Sequence, residues 1–192
     1  RISQVENQNR IQQLTSYYES TIHKISDYIS ESLLEQLSAC MAHARRLKIF
    51  GMNRNSYSAQ QLRHHLHTLI LDADAVSGRV LVRVLSAAGT AEDVHIYFSV
   101  SGDTPIIRDA IQSSCEQGAK TILVTMHHDS PMSNYATHLV VLPSTRLCTT
   151  DYFFDQQAIN FIFIELLIVY LGTALTAPQN PPPEDSDPAA SD

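Results

Sequence analysis

The sequence predicts an α/β fold, a three-layer α-β-α sandwich with a mainly parallel five-stranded sheet, preceded by N-terminal helices. Three observations carry that expectation. Short β-rich runs alternate with helical stretches through the middle of the chain, which is the pattern of a parallel sheet with helices on both faces. The 192 residues, 44% of them hydrophobic, can bury one sizeable core and are few for two. An almost wholly apolar segment, Ala158 to Leu171, supplies a closing helix that neighbouring elements must cover on several faces.

Taken in order, Ile11, Leu14, Tyr18, Ile22, Ile25 and Ile29 recur every three to four residues, so an amphipathic helix leads in and residues 1–31 form a lead-in and linker. The break falls near Ser30 to Ser32. Ser32 and Glu35 fit a capping box for a second helix reaching about Arg46, with Leu33, Leu37, Met41 and Ala44 inward. Strands follow at Leu47 to Phe50, Ala73 to Val76, Val94 to Val100, Thr121 to Thr125 and Leu139 to Leu142. Helices between them cover about Tyr57 to Leu71, Arg79 to Ala88, Pro105 to Gln117 and Pro131 to Tyr135. The domain spans residues 32–174. The apolar run Ala158 to Leu171, about 14 residues with Asn160 and Glu165 inside, is shorter than the roughly 20 a membrane-spanning helix needs. It reads as a buried helix, with a homodimer or tetramer interface as one natural cover. Residues 175–192, rich in Pro, Asp and Ser, cannot build a core and read as a disordered acidic tail.

Charge narrows the function classes. The formal net charge is -7, but Glu184, Asp185, Asp187 and Asp192 sit in a tail without basic residues, which leaves the domain at about -3. Duplex DNA is bound mostly by Lys and Arg neutralising phosphates, so any DNA contact must come from outside this chain. Cys40, Cys115 and Cys148 are odd in number and widely spaced, which fits a reducing, cytoplasmic compartment and offers no metal spacing. The opening RISQVENQNR has neither a signal region nor an initiator Met, which fits a piece cut from a longer protein.

In an open parallel sheet, ligands bind beyond the carboxyl ends of the strands, so the loops after the strands are the candidates. The first, Gly51-Met-Asn-Arg-Asn-Ser56, offers a glycine of unusual backbone freedom and Asn53, Asn55 and Ser56 at a helix start that favours anions; a polar turn capped by serine is the plain alternative. The second, Ser99-Val-Ser-Gly-Asp-Thr104, leads into Pro105, a residue suited to a first helical turn. Ser99, Ser101 and Thr104, with Gly102 and the free amides of the helix start, make a phosphate cradle without lysine. Asp103 would repel phosphate unless it turns away, and Thr104 as a simple N-cap is the alternative. The third, Thr125-Met-His-His-Asp-Ser130, holds Thr125 and the adjacent histidines His127 and His128, which read as solvated polar residues. His64, His65 and His67 read as a helix surface rather than a zinc site, since no further ligand stands nearby. Glu165, inside the apolar closing helix, reads as a buried carboxylate and is the obvious candidate for a general base, with a hydrogen bond in the core or across a dimer as the plain alternative.

Three segments carry a resemblance: Ala44-Arg-Arg-Leu-Lys-Ile-Phe-Gly51, Ser99-Val-Ser-Gly-Asp-Thr104, and Gly118 to Thr125 with Ser130-Pro-Met-Ser-Asn-Tyr-Ala136. Over roughly Leu33 to Leu171 the chain resembles the SIS (sugar isomerase) domain, of flavodoxin-like, Rossmann-like architecture. With its lead-in and closing helices it looks most like the effector domain of RpiR-type bacterial transcription regulators. The resemblance implies a sugar-phosphate ligand, a phosphate loop at Ser99, Ser101, Gly102 and Thr104, and a first-strand loop at Gly51 to Ser56. It also implies a helix-turn-helix domain, for which the residues before Ile11 have no room. The first loop departs from the usual Gly-x-Gly-x-Ser, with Asn53 and Asn55 in place of a glycine and a serine.

The leading expectation is therefore a regulatory module that binds a phosphorylated sugar, with no catalytic residues, no metal and no cofactor. The rival is an aldose-ketose isomerase of the same fold, which needs a base within hydrogen-bond reach of the substrate carbon acid. A domain that has lost its ligand and only oligomerises is the third possibility.

Overall fold

The computed structural model describes residues 2–144 and 157–176. Helix α1 (Ile2–His23) and a short α2 (Ile25–Tyr28) lead into α3 (Glu31–Ala42). Then come β1 (Arg46–Gly51), α4 (Asn55–Thr68), β2 (Ala73–Val76), α5 (Arg79–Ser86), β3 (Asp93–Phe98), α6 (Pro105–Glu116) and β4 (Lys120–Thr125). A 3-10 turn (Pro131–Tyr135), β5 (His138–Val141) and α7 (Gln157–Thr176) complete the domain. The five strands are all parallel, in the order β2-β1-β3-β4-β5. The expected α/β sandwich is the observed one.

Two apolar layers flank the sheet. On one side Leu37, Met41, Leu62, Leu66, Phe163, Ile164 and Leu167 from α3, α4 and α7 pack on Ile49, Ile96 and Val124. On the other, Val82, Ile107 and Ile111 from α5 and α6 pack on Phe50, Tyr97 and Leu123. Alternation along each strand sends neighbouring residues to opposite layers, so β1 and β3 are buried on both faces as central parallel strands require.

Several boundaries differ from expectation for local reasons. The lead-in helix breaks at Lys24, six residues before Ser30, and Thr21 above the break turns its hydroxyl onto the Tyr17 carbonyl. The cap of α3 is Ser30, whose Oγ accepts from the Leu33 amide at 3.2 Å, so the capping box on Ser32 is not used. That choice rotates the buried face to Leu34, Leu37, Ser38 and Met41. Arg46 belongs to β1, and the Pro131–Tyr135 turn is 3-10 rather than α.

Helix α7 is 20 residues, longer than the apolar run suggested, and by length and composition alone it could cross a membrane. Its own chain covers one side of it: Ile159, Phe163, Ile164, Leu167 and Leu171 are buried against α3, α4 and the sheet, while about a third of its apolar window in all is buried (33%). Glu165 is on the outer side, 61% exposed, and is not the buried carboxylate expected. Cys148 and residues 177–192 of the expected tail lie outside the described residues.

Candidate functional site

The strand order reverses direction between β1 and β3, and this is where a doubly wound sheet opens a crevice at its carboxyl edge. Gly51 at the end of β1 is in register with Phe98, so the first and second loops leave the sheet side by side. The Ser99 amide donates to the Val124 carbonyl at 2.9 Å, and this brings in the third loop after β4.

The second loop is shaped by Gly102. Its amide closes a turn onto the Ser99 carbonyl at 3.0 Å, and its φ of +66° is the left-handed region that only glycine enters freely. Space excludes a side chain too: a Cβ there would stand 3.0 Å from Thr125 Oγ1 and 3.1 Å from the Cβ atoms of His127 and Ser130. Ser130 Oγ donates to the Gly102 carbonyl at 2.5 Å and accepts from the Met132 amide at 3.3 Å, so one hydroxyl fastens the second loop to the third. The buried Thr125 hydroxyl accepts from the His127 amide at 3.3 Å.

Thr104 occupies the N-cap position of α6 yet makes no side-chain bond to the helix amides. Its Oγ1 lies 3.3 Å from Ser99 Oγ and 3.3 Å from Ser101 Oγ. Three hydroxyls thus meet at the end of α6 where its first-turn amides and positive dipole end also open. Asp103 turns aside to Arg108, whose Nη1 donates to Oδ1 at 2.7 Å, so its charge is compensated away from the hydroxyls.

The first loop is built differently from the expectation. Gly51 has no left-handed φ; it is needed because a Cβ would collide with the Asn55 carbonyl where α4 begins. Asn53, at φ +52°, takes the left-handed turn, which asparagine tolerates better than most residues. Arg54 precedes α4 with no side-chain cap, and Ser56 lies inside the helix, its amide and hydroxyl both donating to the Asn53 carbonyl at 3.1 and 2.6 Å. Asn55 Oδ1 accepts from Gln157 Nε2 at 3.2 Å, Gln157 Oε1 accepts from Ser58 Oγ at 2.5 Å, and Asn160 Nδ2 donates to Ser58 Oγ at 3.1 Å. Asn55 is therefore anchored to α7 through a polar network.

The structure gathers Ser99, Ser101, Gly102, Thr104 and Thr125 into one cluster and sets Gly51, Asn53, Asn55 and Ser56 on the adjoining strand's loop. Ser130 and Gln157 were not singled out from sequence. Ser130-Pro131 repeats the hydroxyl-proline pairing of Thr104-Pro105, a usable signal, whereas Gln157 lies 102 residues from Asn55 and gave none.

The remaining polar groups sit elsewhere. His127 and His128 are exposed, and the His128 ring lies 5.7 Å from that of Tyr28. His65 Nε2 is 3.1 Å from Glu165 Oε1, joining α4 to α7 ten residues down α4 from Asn55, which at 1.5 Å per residue is about 15 Å from the helix start. His67 Nε2 lies 2.7 Å from the Ala73 carbonyl, while His64 is exposed. Four of the titratable groups altered by the fold, Lys48, Asp93, His95 and Tyr97, lie under α5 and α6. Burial would raise the Asp93 carboxyl, but hydrogen bonds from Arg45 at 3.0 Å and from Thr90 outweigh it and hold the group low. Burial lowers Lys48 and raises the Tyr97 phenol. Among the described residues no three His, Cys, Asp or Glu side chains converge to hold a metal ion.

Comparison with known proteins bears on the fold. No known family profile matches the chain. Over 108 residues it is 27% identical to an uncharacterized HTH-type transcriptional regulator of Haemophilus influenzae; the match covers 56% of this chain and 38% of that protein. The chain superposes on the sugar isomerase domain of an RpiR transcription factor from Sphaerobacter thermophilus with a TM-score of 0.76 and 17% identity, covering 84% of this chain and 89% of that one. It superposes on Vibrio vulnificus NanR, solved with ManNAc-6P, with a TM-score of 0.74 and 16% identity over 84% of this chain and 62% of that one. Phosphoheptose isomerase GmhA from Neisseria gonorrhoeae gives 0.66 and 16% identity, covering 85% of this chain and 98% of that one. The fold of this chain is that of the sugar isomerase domain, shared by RpiR-type regulators and phosphosugar isomerases.

Proposed function

We propose that this chain is the sugar-phosphate-sensing effector domain of an RpiR-type transcriptional regulator, working in the cytoplasm as a homodimer or tetramer. Operator DNA would be read by a helix-turn-helix domain outside residues 1–192. The observation that carries this reading is the meeting of Ser99, Ser101 and Thr104 hydroxyls at 3.3 Å at the start of α6, on the switch point of the sheet. Each hydroxyl can donate to a phosphate oxygen, and the amides of the first turn add donors and a favourable dipole. The sugar would extend toward Asn53 and the loop after Thr125. The bound ligand of NanR, a sugar phosphate, supports the chemical class.

The isomerase alternative requires an acid-base group beside this cluster. His65 and Glu165 form such a pair, but they stand well down α4 from the switch point, and the chain supplies them to the α4–α7 contact rather than to the loop. Assembly would use the open side of α7, where Val169 is 66% exposed, together with the stripe of α1.

Calorimetric titration tests the reading. Hydrogen bonds to a charged group contribute about 1.5 to 3 kcal/mol, so Ser101→Ala and Thr104→Val should each weaken sugar-phosphate binding roughly tenfold or more. His64→Ala should leave affinity unchanged. Equal affinity for the unphosphorylated sugar, or indifference to both loop substitutions, would reduce the loop to a helix start.

A further inference from the structure

Helix α5 turns Val82 and Ser86 into the core, while Val80, Leu81 and Val84 stand 74%, 55% and 57% exposed. Single exposed aliphatics are ordinary on a protein surface, but these three adjoin on one face of an eight-residue helix, a contiguity that marks a contact surface. Arg79 and Arg83 flank them. Across a cleft of about 390 Å³, Arg79, Val80 and Arg83 face Pro105, Ile106 and Asp109 of α6. Among the described residues, Arg79, Arg83 and Asp109 have no ion-pair partner.

We infer that this α5–α6 face docks a second copy of the same chain about a two-fold axis. The charges select the occupant. An anionic partner would meet Asp109 in the same cleft, and a cationic partner would meet two arginines. A second copy brings both signs, so that each Asp109 meets an arginine of the other chain while the aliphatics pack at the centre. The face is separate from the open side of α7, which lies across the sheet. Pro105 and Ile106 line the cleft directly after Thr104, so the first turn of α6 belongs both to this contact and to the hydroxyl cluster.

Sedimentation velocity on the 192-residue chain over a wide concentration range tests the inference. Leu81→Asp and Val84→Asp, at exposed positions, should each weaken one association step by about tenfold or more without altering thermal unfolding. Arg83→Asp alone and Asp109→Arg alone should each weaken the same step. Mixing those two charge variants should restore it, because the mixed pair meets with opposite charges at both symmetric contacts. Masses equal to wild type in both aspartate variants, or no recovery on mixing, would overturn the inference. So would a wild type that stays monomeric, which would leave the face to a different partner. If an aspartate variant fails to fold, the charge-variant mixture, which leaves the aliphatics intact, decides.

Discussion

Acidification should destabilise this domain chiefly through one histidine, His95. It is fully buried on β3, with Nδ1 2.6 Å from Ser114 Oγ and Nε2 lacking any hydrogen-bond partner. The Phe50 ring packs 5.3 Å away, and Lys48 and Asp93 are its charged neighbours. Burial first, then Lys48, push its pKa from 6.5 down to about 4, with Asp93 opposing. Between those values the unfolded chain takes up a proton that the folded chain refuses, so stability falls as pH drops from about 6.5 toward 4. At 1.36 kcal/mol per pH unit the gap amounts to about 3 kcal/mol, or roughly 6 to 12 °C of Tm for a domain of this size. The Asp93 carboxyl is held below its ordinary 3.8, so its own contribution is lost only at lower pH. His138, lowered by partial burial and then by Lys120, adds a smaller loss in the same window, which is why the comparison is made against a His95 variant. The assay is thermal and urea unfolding of wild type and His95→Gln across that pH range. The wild type should lose about 3 kcal/mol more than the variant on acidification. Parallel stability curves for the two proteins would refute the reasoning.

Other consequences are open to measurement. Gly102→Ala should cost about 1 to 2 kcal/mol for the left-handed backbone and, by pushing the loop off Thr125 and Ser130, also weaken sugar-phosphate binding; unfolding and calorimetry read the two effects separately. Asn160→Leu should destabilise by about 1 to 3 kcal/mol in chemical denaturation, because the buried Ser58–Gln157 pair loses a donor. Val169→Asp, on the open side of α7, should lower the oligomer mass with the fold intact, whereas Ile164→Asp and Leu167→Asp should unfold the chain, since both side chains are buried in its own core. Phosphosugar turnover should be undetectable in a coupled assay, and turnover that vanishes in Glu165→Gln would reinstate the isomerase.

Much of the fold was legible because strands and helices announce themselves locally. Periodicity located every strand within a residue or two at its start, and Pro105 and Pro131 marked where helical turns begin. The hydroxyl loop was legible for the same reason, its members lying within six consecutive residues, Ser99 to Thr104. The caps were less so: Ser30 and Ser32 are equivalent in a string, and only the docking of Leu34, Leu37 and Met41 on the sheet selects Ser30.

By itself the sequence determined the α/β class, the parallel sheet and the hydroxyl loop, all consequences of residue spacing within one element or one turn. Tertiary structure alone decided which groups meet across the fold. It placed Glu165 on the outside by choosing which side of an evenly apolar helix faces α3 and α4, a choice without a periodic signature. It tied Asn55 to Gln157 and Ser130 to Gly102 over separations that carry no local signal. It also left Val80, Leu81 and Val84 uncovered, because the core had room for only one side of α5.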